Sequence, residues 1–329
     1  MLKKIKATII LYFLNGLVCI ITPVLFFIAK KSLKKAEQKI SLAILCLAKN
    51  NANRLKKNLR YFDKMQPYFS DFKVLIYENN SIDATKKILN EAKKIYPFLE
   101  VYSFDYSEQE INAIAPVKTA PQMTPCRIQH IAYGRNFLLQ KLKEKSNAYE
   151  YTLVFDCDAL YFNPFKAVKL AYKFVDSDID VLSVNGLTKM LKYRDGYAFR
   201  SKHYPYGPEY LGEIWWTSVL PHIQKRFFTK KLMPVYSAFG GAAVYKTKTY
   251  TMASYSALPT DDFIEMQKKF VHDNPHVKDF DKVANPEKPM PNTGYTDAVI
   301  CEHVPFHYTL YKKGYTKQFV DTSWKMLFL

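Results

Sequence analysis

Residues Tyr151 to Phe162 read YTLVFDCDALYF, a largely apolar run followed at once by two aspartates flanking a cysteine. Tyr151 to Phe155 lacks the polar alternation of a half-exposed strand, which predicts a strand buried on both faces. The same signature recurs on either side. Ser41 to Ala48 (SLAILCLA), Phe72 to Tyr77 (FKVLIY), Leu99 to Phe104 (LEVYSF) and Asp180 to Val184 (DVLSV) read as strands. Between them lie amphipathic stretches. Asn50 to Met65 places Leu55, Leu59 and Phe62 at helical spacing, and Ser81 to Tyr96 places Ile88, Ala92 and Ile95 on one face, with Ser81 and Asp83 as capping candidates. Arg127 to Lys145 predicts another helix. Strand and helix alternate four times, so the expected fold class is α/β, a mostly parallel sheet flanked by helices. In such sheets ligands bind where the strands end.

The strand ends carry the candidate chemistry. Asp156 and Asp158, at i and i+2 after a buried strand, can hold a hard divalent cation, Mn²⁺ or Mg²⁺, that keeps open positions for phosphate oxygens. The second strand ends in YENNSIDATK, where Glu78, Asn79, Asn80 and Asp83 offer acids and amides to a base or ribose just before a helix N-terminus. Arg127 and Arg135 lie eight apart on one helical face, where guanidinium groups can meet a pyrophosphate, and Asn136 follows directly. Further on, SAFGGAAVYKT brings the pair Gly240-Gly241 before an apolar run, where a backbone without side chains can approach a ligand closely. Thr296 to Tyr308 (TDAVICEHVPFHY) reads as a strand carrying Glu302, His303 and His307. Asp261, Asp262 and Glu302 are candidate catalytic carboxylates, and Trp215, beside Trp216, is a candidate ring-stacking residue.

The chain has 329 residues, 48% of them hydrophobic, and a formal net charge of +18. That excludes wholesale disorder, and the length allows a core of one large domain. The charge is unevenly placed. Residues 1–39 hold eight lysines against Glu37, a net +7, which leaves +11 for the other 290 residues. Among those lysines, Ala7 to Ala29 contains no charge in 23 residues, about 34 Å of helix and enough to cross a bilayer. The expected organisation is a basic N-terminus (1–6), a transmembrane anchor (7–29), a basic juxtamembrane linker (30–39) facing anionic head groups, and a catalytic domain (40–329). Within that domain 40–185 is the ligand-binding half and 186–329 the acceptor half. Lysines flank both ends of the anchor with more after it, which leans towards a cytosolic catalytic part and leaves the side open. Nucleic acid is the least supported partner, because so much of the positive charge belongs to the membrane flank.

The order of these motifs resembles the GT-A superfamily of nucleotide-sugar glycosyltransferases. YENNSIDATKKIL, RIQHIAYGRNFLL and the later KYRDGYAFR are similar to the fungal capsule-associated α-mannosyltransferases, over about Ser41 to Arg200. The resemblance implies a Rossmann-like GT-A fold and a membrane-anchored enzyme moving a hexose, with mannose among the candidates, from a GDP- or UDP-sugar to a glycan or glycoconjugate. It implies that Asp156 and Asp158 bind the metal, with His303 first and His307 second as a further ligand. It also implies that the Glu78 to Asp83 turn and Arg135 hold the nucleotide, and that Gly240-Gly241 lies on the acceptor side. Two other classes compete. A sugar-nucleotide nucleotidyltransferase would open with a Gly-rich phosphate loop, which AILCLAKNNANR lacks. A non-enzymatic basic membrane-associated protein would tolerate loss of Asp156 and Asp158.

Overall fold

The computed structural model describes residues 39–116, 118–119, 124–125, 127–145, 148–175, 177–208, 215–227, 231–273 and 299–328. Its strands are β1 (Leu42–Ala48), β2 (Phe72–Asn79), β3 (Leu99–Phe104), β4 (Lys118–Thr119), β5 (Thr124–Pro125), β6 (Tyr151–Asp156), β7 (Val181–Leu187), β8 (Leu232–Pro234), β9 (Ala242–Lys246) and β10 (Gln318–Leu327). The helices are α1 (Ala52–Met65), α2 (Thr85–Ile95), α3 (Glu108–Ile114), α4 (Arg127–Glu144), α5 (Pro164–Val175), α6 (Leu220–Phe227), α7 (Thr247–Tyr250), α8 (Asp261–Asp273) and α9 (His303–Lys312).

Eight strands form one sheet in the order β3-β2-β1-β6-β9-β7-β10-β8, and β4 pairs with β5 apart from it. β3, β2, β1 and β6 are mutually parallel. β9 runs antiparallel to both β6 and β7, β10 is parallel to β7, and β8 is antiparallel to β10. The mostly parallel α/β sheet expected from the alternation is therefore present, with two reversed strands. β7 runs through residues 185 and 186, where the sequence expectation drew its boundary within the domain.

Side chains alternate across the sheet as the two-residue period demands. Leu42, Ile44 and Cys46 of β1 join Leu55, Leu59 and Phe62 of α1 and Val168 and Phe174 of α5 in one core. Ala43 and Leu45 face the other way, onto Leu138 and Leu142 of α4 and Val304 and Phe306 of α9. A third cluster, around Phe199, Trp215, Ile223 and Phe227, lies beneath the segment after β7.

Two expectations are corrected. Thr296 to Tyr308 is not a strand. Residues 296–298 lie outside the described residues, and α9 begins at His303. His303 to Tyr308 are all buried, so this helix shows no polar face and its period is invisible in the sequence. Pro305 fits because the first turn has no intrahelical use for its N–H. The helix after β2 starts at Thr85 rather than Ser81, because Ser81 and Asp83 build the turn before it. Among the described residues no helix is long and apolar enough to cross a membrane; the anchor expected at residues 7–29 lies outside them.

Candidate active site

The carboxyl ends of β1, β2 and β6 and the start of β9 open into one cavity of about 810 Å³. Reversal of β9 matters here: Ala242 pairs with Phe155, so Gly240-Gly241 arrives beside the end of β6. The Asp156 N–H donates to the Gly241 carbonyl at 2.8 Å. Gly240 and Gly241 both have positive φ, 69° and 102°, a region open to glycine at no steric cost. A Cβ on Gly240 would lie 2.2 Å from the Val184 carbonyl oxygen, and one on Gly241 2.1 Å from the Phe328 ring. The close approach that these glycines permit is to the protein's own Val184 carbonyl and Phe328 ring, and the pair also lines the cavity.

Helix α1 fastens the two-aspartate turn. Asn58 Nδ2 donates to the carbonyls of Cys157 (2.8 Å) and Ala159 (3.2 Å), and Arg54 Nη1 donates to that of Asp158 (2.8 Å). Both carboxylates thereby reach the cavity. Asp156 Oδ1 accepts from Arg135 Nη2 at 3.2 Å, and Arg135 Nε donates to Glu302 Oε1 at 2.9 Å. Burial pushes the Asp156 carboxyl up to about 6, with Arg135 opposing that rise and Asp158 adding to it. Burial alone would lower the pKa of Arg135; attraction to Glu302 and Asp156 reverses this and raises it. Its guanidinium also lies over the Phe239 ring at 4.8 Å.

Asp158 is more open. Its Oδ2 accepts from Arg194 Nη2 at 3.2 Å, while Oδ1 is buried without a hydrogen-bond partner. Arg194 rests on the Phe328 ring, 3.8 Å from its centroid. Among the described residues no group of three or more His, Cys, Asp or Glu side chains is arranged to hold a metal. Two carboxylates with an unpartnered oxygen nevertheless fit a hard divalent cation of the kind held by one or two carboxylates, its remaining positions filled by phosphate and water oxygens.

The two histidines part company. His303 lines the cavity with both ring nitrogens buried and unbonded, stacked 3.9 Å from Phe239 and with Nε2 3.4 Å from Glu302 Oε1. Burial, then Arg135 and His307, hold its pKa well below the usual histidine value, so it is neutral. His307 is a correction. Its Nδ1 meets Ser237 Oγ at 3.2 Å and its Nε2 meets Tyr245 Oη at 2.7 Å, which leaves no nitrogen for a metal. Burial and then Arg135 lower its pKa to about 3.

Of the turn after β2, only Asn79 lines the cavity. Glu78 is buried and accepts from the Ser81 N–H (2.8 Å) and the Ser103 hydroxyl. Asn80 bonds the backbone of Tyr106 in both directions, and Asp83 accepts from the N–H groups of Thr85 and Ala52. These three residues shape the turn rather than face a ligand. Arg127 and Arg135 both line the cavity, as the eight-residue spacing implies. Asn136 instead clips the backbone of Tyr255, accepting at 2.7 Å and donating at 2.8 Å.

Asp261 and Asp262 sit in the first turn of α8, outside the cavity lining. Trp215 is fully buried in the third core cluster and presents no face to a ligand. Sequence reading assigned no role to Arg194, Asp195 or Tyr197, all of which line the cavity. Asp195 accepts from the Gly240 N–H (2.9 Å) and the Ala198 N–H (3.3 Å), and burial raises its pKa. Their signal was the KYRDGYAFR run, legible only through its resemblance.

Three comparisons bear on this geometry. The sequence profile of a family described as Cryptococcal mannosyltransferase 1 matches residues 57–283, over half of the chain. No curated protein matches. Solved structures that match include a mycobacterial protein (10% identity, TM-score 0.38, 70% of this chain and 59% of that one) and Staphylococcus aureus TarS (14%, 0.40, 70% and 34%). Another is the mannosyltransferase PcManGT from Pyrobaculum calidifontis in complex with GDP-Man and Mn²⁺ (14%, 0.38, 79% and 62%). The chain thus spans less than two thirds of the length of each.

Proposed function

The chain belongs to the Cryptococcal mannosyltransferase 1 family and is a glycosyltransferase, and from that premise we propose a reaction for its cavity. A hexose, mannose first among the candidates, moves from a GDP- or UDP-sugar to a hydroxyl of a glycan or glycoconjugate. The observation that carries the reading is the meeting of Asp156 and Asp158, one oxygen of the latter unpartnered, with Arg127, Arg135 and Arg194 in one cavity.

Asp156 and Asp158 would hold Mn²⁺ or Mg²⁺, which when bound supplies Lewis-acid neutralisation of the leaving diphosphate. Arg135 keeps a fixed positive charge against the same carboxylates, pre-set by Glu302, and adds to the stabilisation of negative charge at that wall. Arg127, with Asn79 nearby in the lining, suits the nucleotide side. On the acceptor side Asp195 replaces Asp261 and Asp262 as the carboxylate able to take a proton from a hydroxyl, since it lines the cavity and they do not. Glu302 is committed to Arg135 and acts through it. The apolar segment 7–29 with its lysine flanks supports a single-pass anchor at the membrane.

The test is turnover of GDP-mannose and UDP-glucose by the full chain with Mn²⁺. Asp158→Ala should cut turnover at least about a hundred-fold, the scale of removing one preorganised electrostatic group, with the thermal midpoint nearly unchanged because 43% of that side chain is exposed. If no nucleotide sugar binds and chelation changes nothing, the reading is wrong.

A further inference from the structure

Beside the cavity lies an aromatic pair with no part in the chemistry above. Tyr197 lines the cavity wall and is 42% exposed, and Trp216 next to it is 37% exposed. Their ring centroids are 5.1 Å apart at 59°. Gly196 makes room for the arrangement, because a Cβ there would come within 2.8 Å of the Trp216 ring and 2.9 Å of Trp215 Nε1. The two tryptophans leave a turn of π-helix, Trp215–Val219, a conformation that recurs at functional sites. One indole anchors the turn in the core while the other stays at the surface.

The position is as informative as the composition. The segment carrying Arg194, Asp195 and Tyr197 follows β7, whereas Asn79 ends β2; in the sheet order β2 and β7 lie on opposite sides of β6. An uncharged aromatic surface is the wrong chemistry for a diphosphate and the right one for the C–H face of a neutral pyranose, which packs on a ring while its hydroxyls stay wet. Asp195, two residues before Tyr197, puts a carboxylate acceptor next to that surface.

We propose that Tyr197 and Trp216 form a stacking platform for a pyranose ring of the acceptor saccharide, a subsite separate from the donor-binding wall. The inference rests on the glycosyltransferase reading above but is tested without turnover. The chain has three tryptophans; Trp215 and Trp324 are buried, so Trp216 reports on the platform by its fluorescence. Titration of the full chain with α-mannobiose and with maltotriose should shift or quench that emission for at least one of them. Tyr197→Ala, which leaves the reporter in place, should raise the half-saturating concentration about ten-fold, about 1.4 kcal/mol at 25 °C, whereas Tyr197→Phe should stay within about two-fold.

The platform is refuted if neither saccharide alters the emission, if Tyr197→Ala binds as tightly as the parent, or if GDP or UDP produces the response instead. Failure of the parent protein to consume any nucleotide sugar, with the saccharide titration intact, would count against the proposed reaction and leave the platform standing.

Discussion

Arg135 is only 5% exposed and serves two carboxylates at once, Asp156 and Glu302. Its removal leaves Glu302 buried and Asp156 partly buried near each other with that cation gone, so Arg135→Ala should cost about 3 kcal/mol of stability, the low end of the range for breaking a buried pair on one side, measurable by chemical denaturation. The proposed metal step carries its own pH signature. Burial raises the Asp156 carboxyl from its ordinary range to about 6, so its proton competes with a cation at a pH where a free carboxylate would already be ionised. Mn²⁺ affinity should therefore fall as pH drops from 7 to 5, up to about ten-fold per unit below the titration point; electron paramagnetic resonance of free Mn²⁺ reads this directly. An affinity flat down to pH 5 would show that Asp156 is not a ligand.

At the scale of elements, the glycine crossing is the tightest constraint. A Cβ on Gly186 would fall 1.9 Å from the Gly240 carbonyl oxygen, and neither backbone can retreat without breaking the β7–β9 ladder. Gly240→Ala, whose Cβ would lie 2.2 Å from the Val184 carbonyl oxygen at a position of positive φ, should lower the thermal midpoint by at least several degrees, whereas Gly314→Ala, with open space around it, carries only the φ strain. Strands β1 to β3, β6 and β7 and the helices between them were legible because burial on two faces and amphipathic spacing leave distinct periods in the sequence. The two-aspartate turn was legible because it terminates such a strand. Helix α9 was not, since a helix buried all round has no polar stripe to read. Glu78, Asn80 and Asp83 misled for a related reason: a turn that fastens itself uses the same acids and amides as one that binds a ligand. Asp195 was missed because a single acid in an irregular segment has no period, and only the fold brings it to Gly240.

At the scale of the molecule, the +18 divides between a lysine-flanked apolar segment and a body carrying an arginine-lined cavity. Removal of residues 1–39 should release the protein from the membrane pellet in carbonate extraction while the melting profile of the remaining domain is kept; retention in the pellet would refute the anchor. The order in which the sheet is completed also constrains how the protein is made. The wall formed by β3, β2, β1 and β6 is finished once residue 156 has been translated. β7, by contrast, waits for β9 and for β10 at residues 318–327, and Arg135 waits 167 residues for Glu302. Until residues 302–327 have been translated, the four parallel strands have an open edge at β6 and Arg135 lacks one of its two counter-charges. Long-range pairing of this kind is slow and exposes strand edges to the wrong neighbours, so yield in a recombinant host should depend on chaperone supply more than on the stability of the finished fold.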